Sequence, residues 1–270
     1  MKIKGFILLI LAVLASSCGE YEKLLKSTDF ELKKEKAYEY FEAGKYVRTS
    51  ELLGQILPRY RATAEAEELN WLNARCYYNM RDYIMAGAAY KNFAEMYPYN
   101  EHAEEATFMT AYCDYMLSPR PELDQSYTNS AIEAFTYFQR RYPSSDKADD
   151  AQELIKELED KLVEKSYINA RLYYDMEEYR AAVVALDNSL KDYPETKHRE
   201  ELMFLKLESS YLYALNSVVE KQQERFQATL DEYYSFVEEF PDSVFSKEVQ
   251  KIYDTTAEYL KIDETMVNNR

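Results

Sequence analysis

One stretch of this chain occurs twice, 96 residues apart. Residues 73–98 match residues 169–194 without a gap, with 12 identities in 26 positions. A self-match at a fixed offset is typical of repeat proteins, in which each unit buries its apolar face against its neighbours. We therefore expect a stack of similar units rather than one fold around a single core.

The apolar positions of this unit have the spacing of two helices. Ala74 and Tyr77 share a face of the first helix, and Ala86 and Tyr90 share a face of the second. Pro98 ends the unit, because proline cannot continue a helix. The order of small residue, aromatic, alanine, aromatic and proline resembles the tetratricopeptide repeat, a helix–turn–helix of about 34 residues.

The same pattern divides the chain into five units. Each unit ends at a proline: Pro58, Pro98, Pro143, Pro194 and Pro241. The resemblance implies an all-α fold, a right-handed superhelix of about five tetratricopeptide-like helix pairs. Residues 245–260 are predicted to form a C-terminal capping helix. The third unit carries an inserted loop at 118–125, and a polar link is predicted at 220–224.

The first residues have the pattern of an export signal. Lys2 and Lys4 precede a short apolar run over residues 6–15, and Cys18 follows two serines. Small residues before a cysteine resemble the lipobox of bacterial lipoproteins, which implies a signal peptide at 1–17 and lipidation of Cys18. The alternative is an ordinary signal peptide with an incidental cysteine. Residues 18–28 are predicted to be a polar, lipidated tether.

The charge of the chain excludes one class of partner. Its net charge is −16, from 33 basic and 49 acidic side chains. Nucleic-acid binding needs a positive surface, so it is not expected. The same balance disfavours docking on anionic lipid by charge alone, so a lipid chain would have to hold the protein at a membrane.

The residues that usually carry catalysis or bind metal do not form a recognisable set. His102 and His198 are again 96 residues apart, which indicates inherited repeat positions rather than metal ligands. We expect no enzyme activity, no cofactor and no metal. Cys76 and Cys113 occupy equivalent positions of two units and are predicted to be buried free thiols, with a disulfide as the alternative.

A stack of helix pairs presents a groove lined by the first helix of each pair, called helix A here. Aromatic side chains with an arginine and an asparagine suit an extended peptide that carries aromatic residues. The predicted substrate-peptide groove contains Tyr38, Phe41, Glu42, Trp71, Arg75, Tyr78, Asn79, Phe108, Tyr112 and Tyr115. Each of these rings has the alternative of being a core side chain.

A lipobox followed by five such helix pairs resembles the BamD family, the lipoprotein subunits of the outer-membrane β-barrel assembly machine. The resemblance covers about residues 30–260. It implies a non-catalytic lipoprotein anchored on the periplasmic face of the outer membrane. Its implied partners are the periplasmic domains of BamA, other subunits of the assembly machine and unfolded outer-membrane β-barrel proteins.

The resemblance also implies a division of labour along the chain. Repeats one to three, at 29–143, would face substrate, and repeats four and five with the capping helix, at 144–262, would face the partner. The alternatives are a glycan-binding lipoprotein of the starch-utilisation type and a generic scaffold built from the same repeats. The sequence has one tryptophan and only short insertions, whereas such glycan-binding proteins carry sugar-stacking tryptophans on large loops.

Overall fold

The computed structural model describes residues 19–61 and 63–261. The signal peptide at 1–17 and the lipidation site at Cys18 lie outside them. Every regular element of the described residues is a helix, so the predicted all-α class is confirmed. Residues 19–26 form α1. The helices that follow are α2 (Phe30–Glu42), α3 (Tyr46–Tyr60), α4 (Ala66–Asn79), α5 (Tyr83–Met96), α6 (Ala103–Leu117), α7 (Ser126–Arg141), α8 (Ala148–Asp175), α9 (Tyr179–Asp192), α10 (Arg199–Leu215), α11 (Val219–Glu239) and α12 (Ser246–Leu260).

These helices form the predicted pairs. Helices α2 to α7 pack in order, each on the next, and α9 packs on α10, which packs on α11. Helix α12 covers α10 and α11 as a capping helix. Five pairs and a cap, with the inserted loop at 118–125 between α6 and α7, agree with the sequence. The handedness of the superhelix stays a prediction.

Small side chains let the paired helices approach closely. Ala74 on α4 and Ala86 on α5 are both fully buried, as the repeat pattern predicts. Successive pairs also approach closely at Gly87 of α5, where a Cβ atom would lie 3.2 Å from the Cβ atom of Cys113 on α6. Aromatic and leucine side chains fill the remaining space. The small residues that recur in the two copies therefore lie where helices pack against each other.

The turn inside three of the five pairs also repeats. Gly44, Arg81 and Glu177 follow α2, α4 and α8, with φ angles of 69°, 61° and 60°. In the last two turns the amide of the next residue donates 3.0 Å hydrogen bonds to the carbonyls of Tyr77 and Tyr173. A positive φ favours glycine, yet only the first of the three turns has one.

The chain forms two compact units, which we describe separately. The first unit is Met1–Pro119 with Gln125–Leu158, and the second is Arg120–Asp124 with Glu159–Arg270. In the first unit the start of α8 shares a core with α6 and α7 through Ile155 and Leu158. In the second unit the end of α8 shares a core with α9, α10 and α12 through Tyr167 and Ala170.

Three local predictions differ from the structure. The described part of the predicted tether is helix α1, because Tyr21 and Leu24 are buried against the first pair. Pro58 lies inside the last turn of α3 rather than after it, since the burial of Ile56 and Tyr60 keeps the helix going. The polar link at 220–224 is the first part of α11.

Candidate functional site

The ten residues predicted to line a groove all lie on helix A of the first three pairs. Their placement is Tyr38, Phe41 and Glu42 on α2, Trp71, Arg75, Tyr78 and Asn79 on α4, and Phe108, Tyr112 and Tyr115 on α6. All three helices belong to the first unit. Helix periodicity alone brings these side chains to one side of each helix.

The ten residues differ in how far they reach solvent. Three of the rings are core side chains: Phe41 and Phe108 are 7 % exposed and Trp71 is 9 % exposed. Four tyrosines are half-buried: Tyr38, Tyr78, Tyr112 and Tyr115. Three polar side chains are exposed: Glu42, Arg75 and Asn79. The buried rings support the surface from below, and the tyrosines and polar groups are what a ligand could contact.

The half-buried tyrosines form a line across two helices. The ring centres of Tyr78 and Tyr112 are 6.5 Å apart, and Tyr112 stacks on Tyr115 at 5.5 Å. The line ends where the Tyr115 hydroxyl donates a 2.7 Å hydrogen bond to the Glu157 carboxylate of α8. This hydrogen bond, together with burial, raises the pKa of Tyr115 to about 12. The Tyr115 hydroxyl at the end of the line is therefore protonated and uncharged near pH 7.

Arg75 is the cationic group of this surface. Its guanidinium carbon lies 4.7 Å from the centre of the Phe41 ring, a cation–π contact with the preceding pair. Among the described residues no carboxylate lies within ion-pair distance of it. The amide of Asn79, one turn later, donates to the Arg75 carbonyl and not to its side chain. The guanidinium hydrogen-bond donors are thus available to an anionic ligand.

A carboxylate marks the other edge of this surface. The Tyr38 hydroxyl of α2 donates a 3.3 Å hydrogen bond to Glu68 of α4. Burial, with the Glu68 charge, raises the pKa of Tyr38. The Glu68 and Glu157 carboxylates thus each accept from a tyrosine hydroxyl of this surface, whereas Arg75 has no carboxylate partner among the described residues.

The sequence reasoning did not find the contact that joins successive helix A elements. The residue just before α6, α8, α10 and α12 lies against a ring of the preceding helix A. The four contacts are His102 on Trp71 at 4.5 Å, Lys147 on Phe108 at 5.0 Å, His198 on Tyr167 at 3.9 Å and Phe245 on Phe204 at 4.2 Å. We call these the junction stacks. The 96-residue spacing of the two histidines was the available signal, but it did not reveal their partner rings.

The groups that usually carry catalysis or bind metal are dispersed. Within 19–61 and 63–261, no cluster of three or more His, Cys, Asp or Glu side chains could hold a metal ion. Cys76 and Cys113 are buried free thiols, as predicted, and burial raises the pKa of each to about 12. A thiol with such a pKa is a poor nucleophile near pH 7.

A helix that crosses a bilayer needs about 20 consecutive, mostly apolar residues. None of the helices of the described residues combines the length and the apolar character that crossing a bilayer needs.

Relatives of known name resemble this chain over most of its length. The chain is 23% identical over 196 residues to the outer membrane protein assembly factor BamD of Vibrio cholerae, covering 69% of this chain and 81% of that protein. It is 27% identical over 124 residues to the protein of that name from Caulobacter vibrioides, covering 46% of this chain and 41% of that protein. The match to the putative BamD of Aquifex aeolicus is 23% identical over 198 residues and covers 73% of this chain and 62% of that protein.

A family model gives the same result for the chain from residue 32 onward. The model of the YfiO family, described as an outer membrane lipoprotein, matches residues 32–224 and, in a second match, residues 167–269. The two matches together extend from α2 to beyond α12. This chain therefore belongs to the YfiO family of outer membrane lipoproteins.

Proposed function

We propose that this chain is a lipid-anchored, non-catalytic subunit of the machinery that assembles β-barrel proteins into the outer membrane. Its family and the names of its relatives, outer membrane protein assembly factors, support this role. Its proposed partners are the periplasmic domains of BamA, other subunits of that machinery and unfolded β-barrel proteins. The proposed location is the periplasmic face of the outer membrane.

The observation that carries the substrate part of the proposal is Arg75. A guanidinium group without a carboxylate partner lies over the Phe41 ring, on the same helix as Tyr78, which begins the tyrosine line. A peptide that ends in an aromatic residue with a free carboxyl group has matching chemistry. Its carboxylate would accept hydrogen bonds from Arg75, and its ring would lie against the tyrosines.

A peptide titration tests this assignment. Replacing both Arg75→Ala and Tyr78→Ala should weaken binding of a free-acid peptide about tenfold or more, because charge-assisted hydrogen bonds contribute about 1.5–3 kcal/mol. The repeat supplies a matched control: Arg171→Ala with Tyr174→Ala changes the equivalent residues of the second copy. The control variant should bind as the parent does, and amidating the peptide should cost the parent most of its affinity.

Two outcomes would remove Arg75 from the site. One is unchanged affinity in the Arg75→Ala and Tyr78→Ala variant. The other is equal affinity of the parent for free-acid and amidated peptides. Circular dichroism of each variant checks that helix content is retained.

The anchor is tested separately. Cys18→Ala should abolish acyl labelling and release the protein from the membrane fraction, since the acidic chain offers little attraction to anionic lipid. Retention of this variant on membranes that lack BamA would contradict the anchor.

The partner assignment is tested by purifying the detergent-solubilised protein with whatever it binds. Recovery of BamA, reduced by changes within 144–262, would support the partner-facing role of the C-terminal repeats. Recovery of a sugar transporter instead would favour the glycan-binding alternative. The structure disfavours that alternative, because the single tryptophan, Trp71, is buried and its ring is covered by His102.

A further inference from the structure

The N-terminal helix α1 is joined to the first helix pair by contacts along its whole length. Tyr21 is 8 % exposed, and its hydroxyl donates hydrogen bonds to the Glu51 carboxylate and, at 3.2 Å, to the carbonyl of Arg48. The Arg48 guanidinium also contacts the Tyr21 ring, at 4.7 Å from its centre. Leu24, one turn later, is also 8 % exposed.

A buried lysine donates a hydrogen bond to a carbonyl near the C-terminal end of α1. The side chain of Lys33 on α2 is 3 % exposed, and its ammonium group donates a 3.0 Å hydrogen bond to the carbonyl of Leu25 and a 2.5 Å bond to the Gln55 side chain. A cation at the C-terminal end of a helix is favourable for the helix dipole. Only residues 27–29 separate α1 from α2, and the Asp29 side chain caps α2 by accepting from the Leu32 amide. The joint between the two helices is therefore fixed.

This arrangement leaves almost no free chain between the proposed lipidation site and the fold. Tyr21, a buried side chain of the first pair, is three residues from Cys18. Three residues span at most about 11 Å even when fully extended. A lipid on Cys18 would therefore hold Tyr21, with its contacts to Arg48 and Glu51 of α3, close to the lipid headgroups.

The balance of acidic and basic side chains changes after the first helix pair, at about residue 61. Residues 19–61 contain nine basic and eight acidic side chains, whereas the rest of the chain beyond residue 61 contains 22 basic and 41 acidic ones. A nearly neutral segment can lie against an anionic headgroup layer without large repulsion. The acidic remainder is repelled within a screening length of about 8 Å at physiological ionic strength.

We propose that α1 is a rigid arm that seats the first helix pair, α2 and α3, directly on the phospholipid headgroup surface. This inference rests on the proposed lipid anchor and goes beyond it, because an anchor on a flexible tether would leave the orientation free.

Energy transfer to labelled lipids tests the arm. The full lipidated protein is placed in vesicles of phosphatidylethanolamine and phosphatidylglycerol that carry a headgroup acceptor dye. A donor dye is attached through Val47→Cys on α3 or through Tyr137→Cys on α7; both positions are exposed and both belong to the first unit. Cys76 and Cys113 are buried and react slowly. We expect several-fold higher transfer from position 47 than from position 137.

Two variants test whether α1 is the cause. A flexible glycine–serine linker of about 20 residues inserted between Cys18 and Gly19 adds a reach on the order of 25 Å. It should remove most of the difference between positions 47 and 137 while leaving α1 docked and the fold intact. Tyr21→Ala with Leu24→Ala should reduce the difference by loosening α1 itself.

The outcomes separate the inference from the anchor on which it rests. Acyl labelling and vesicle flotation are measured first, and their failure would overturn both the anchor and the arm. Normal acylation with equal transfer from the two positions, or a difference that the linker leaves unchanged, would overturn the arm alone.

Discussion

The two copies of the repeat carry the same arginine in different surroundings. In the second copy, Arg171 donates to the Tyr167 hydroxyl at 2.7 Å and to the Glu201 carboxylate at 2.9 Å, and Asp175 lies 3.6 Å from it. In the first copy, Arg75 contacts the Phe41 ring and no described carboxylate. Arg171 therefore joins α8 to α10, whereas the guanidinium of Arg75 makes no such ion pair within the described residues.

Two of the three acceptors around Arg171 have no equivalent in the first copy. The third, Glu201, has the equivalent Glu105, which lies 3.9 Å from His102. The counterpart of Tyr167 is Trp71, whose indole nitrogen is only a donor and cannot accept from an arginine. The counterpart of Asp175 is the neutral Asn79. The same arginine can thus be paired in one copy and unpaired in the other because its neighbours differ, without a change in the residue itself.

The largest expected effect concerns the rings of the junction stacks. Trp71 contacts His102, Tyr90 and Phe93, whereas the only ring contact of Tyr167 among the described residues is with His198. Trp71→Ala should therefore cost about 3–5 kcal/mol of unfolding free energy. Tyr167→Ala should cost less. Urea unfolding followed by circular dichroism measures both.

A matched control separates burial from aromatic character. Tyr99 is 97 % exposed, so Tyr99→Ala should change the unfolding free energy by no more than about 0.5 kcal/mol. A loss for Tyr167→Ala as large as that for Trp71→Ala would show that the two copies do not differ in the way proposed here.

The next effect concerns the small residues, where the copies should agree. Ala74 is fully buried and Ala170 is 3 % exposed. Replacing either by leucine overpacks a helix–helix contact and should cost about 1–3 kcal/mol. Thermal unfolding of either variant at the parental midpoint would show that the copies do not share a packing register.

The helices and their pairing could be predicted from the sequence because small residues, aromatics and prolines recur at fixed spacing. The errors arose where tertiary contacts overrode local composition. Residues 19–28 are polar overall, but Tyr21 and Leu24 find a core, and the buried ammonium of Lys33 holds the end of α1. Composition does not show which lysine will be buried.

The candidate site was predictable only as a set of positions. Helix periodicity placed the ten residues on helix A, but it could not separate Trp71 and Phe108, which are core rings, from the half-buried Tyr78 and Tyr112. Trp71 and Phe108 are the rings that the junction stacks cover, and the sequence does not show which rings are covered in this way. The peptide-binding role of the ten residues therefore stays a prediction.

A third effect concerns the turn within each pair. Gly44→Ala forces an alanine to a φ of 69° and should cost about 1 kcal/mol. At the matching positions, Arg81→Gly and Glu177→Gly relieve the same strain but give the unfolded chain more freedom. Each should be neutral or gain about 0.5 kcal/mol. Denaturant midpoints measure all three, and a clear loss in either glycine variant would contradict equivalent turns.

The smallest effect addresses the cause of the difference between the two arginines. Asn79→Asp restores the carboxylate that Asp175 supplies in the second copy. An exposed pair four residues apart on a helix contributes about 0.2–0.5 kcal/mol, so stability should hardly change. The new carboxylate should nevertheless compete with a peptide carboxylate for Arg75 and repel it, which weakens free-acid peptide binding by about twofold or more. The matched change Asp175→Asn should leave binding unaltered. If Asn79→Asp binds amidated and free-acid peptides with the same loss, the charge of Arg75 does not set the affinity, and the contrast between the copies is one of stability alone.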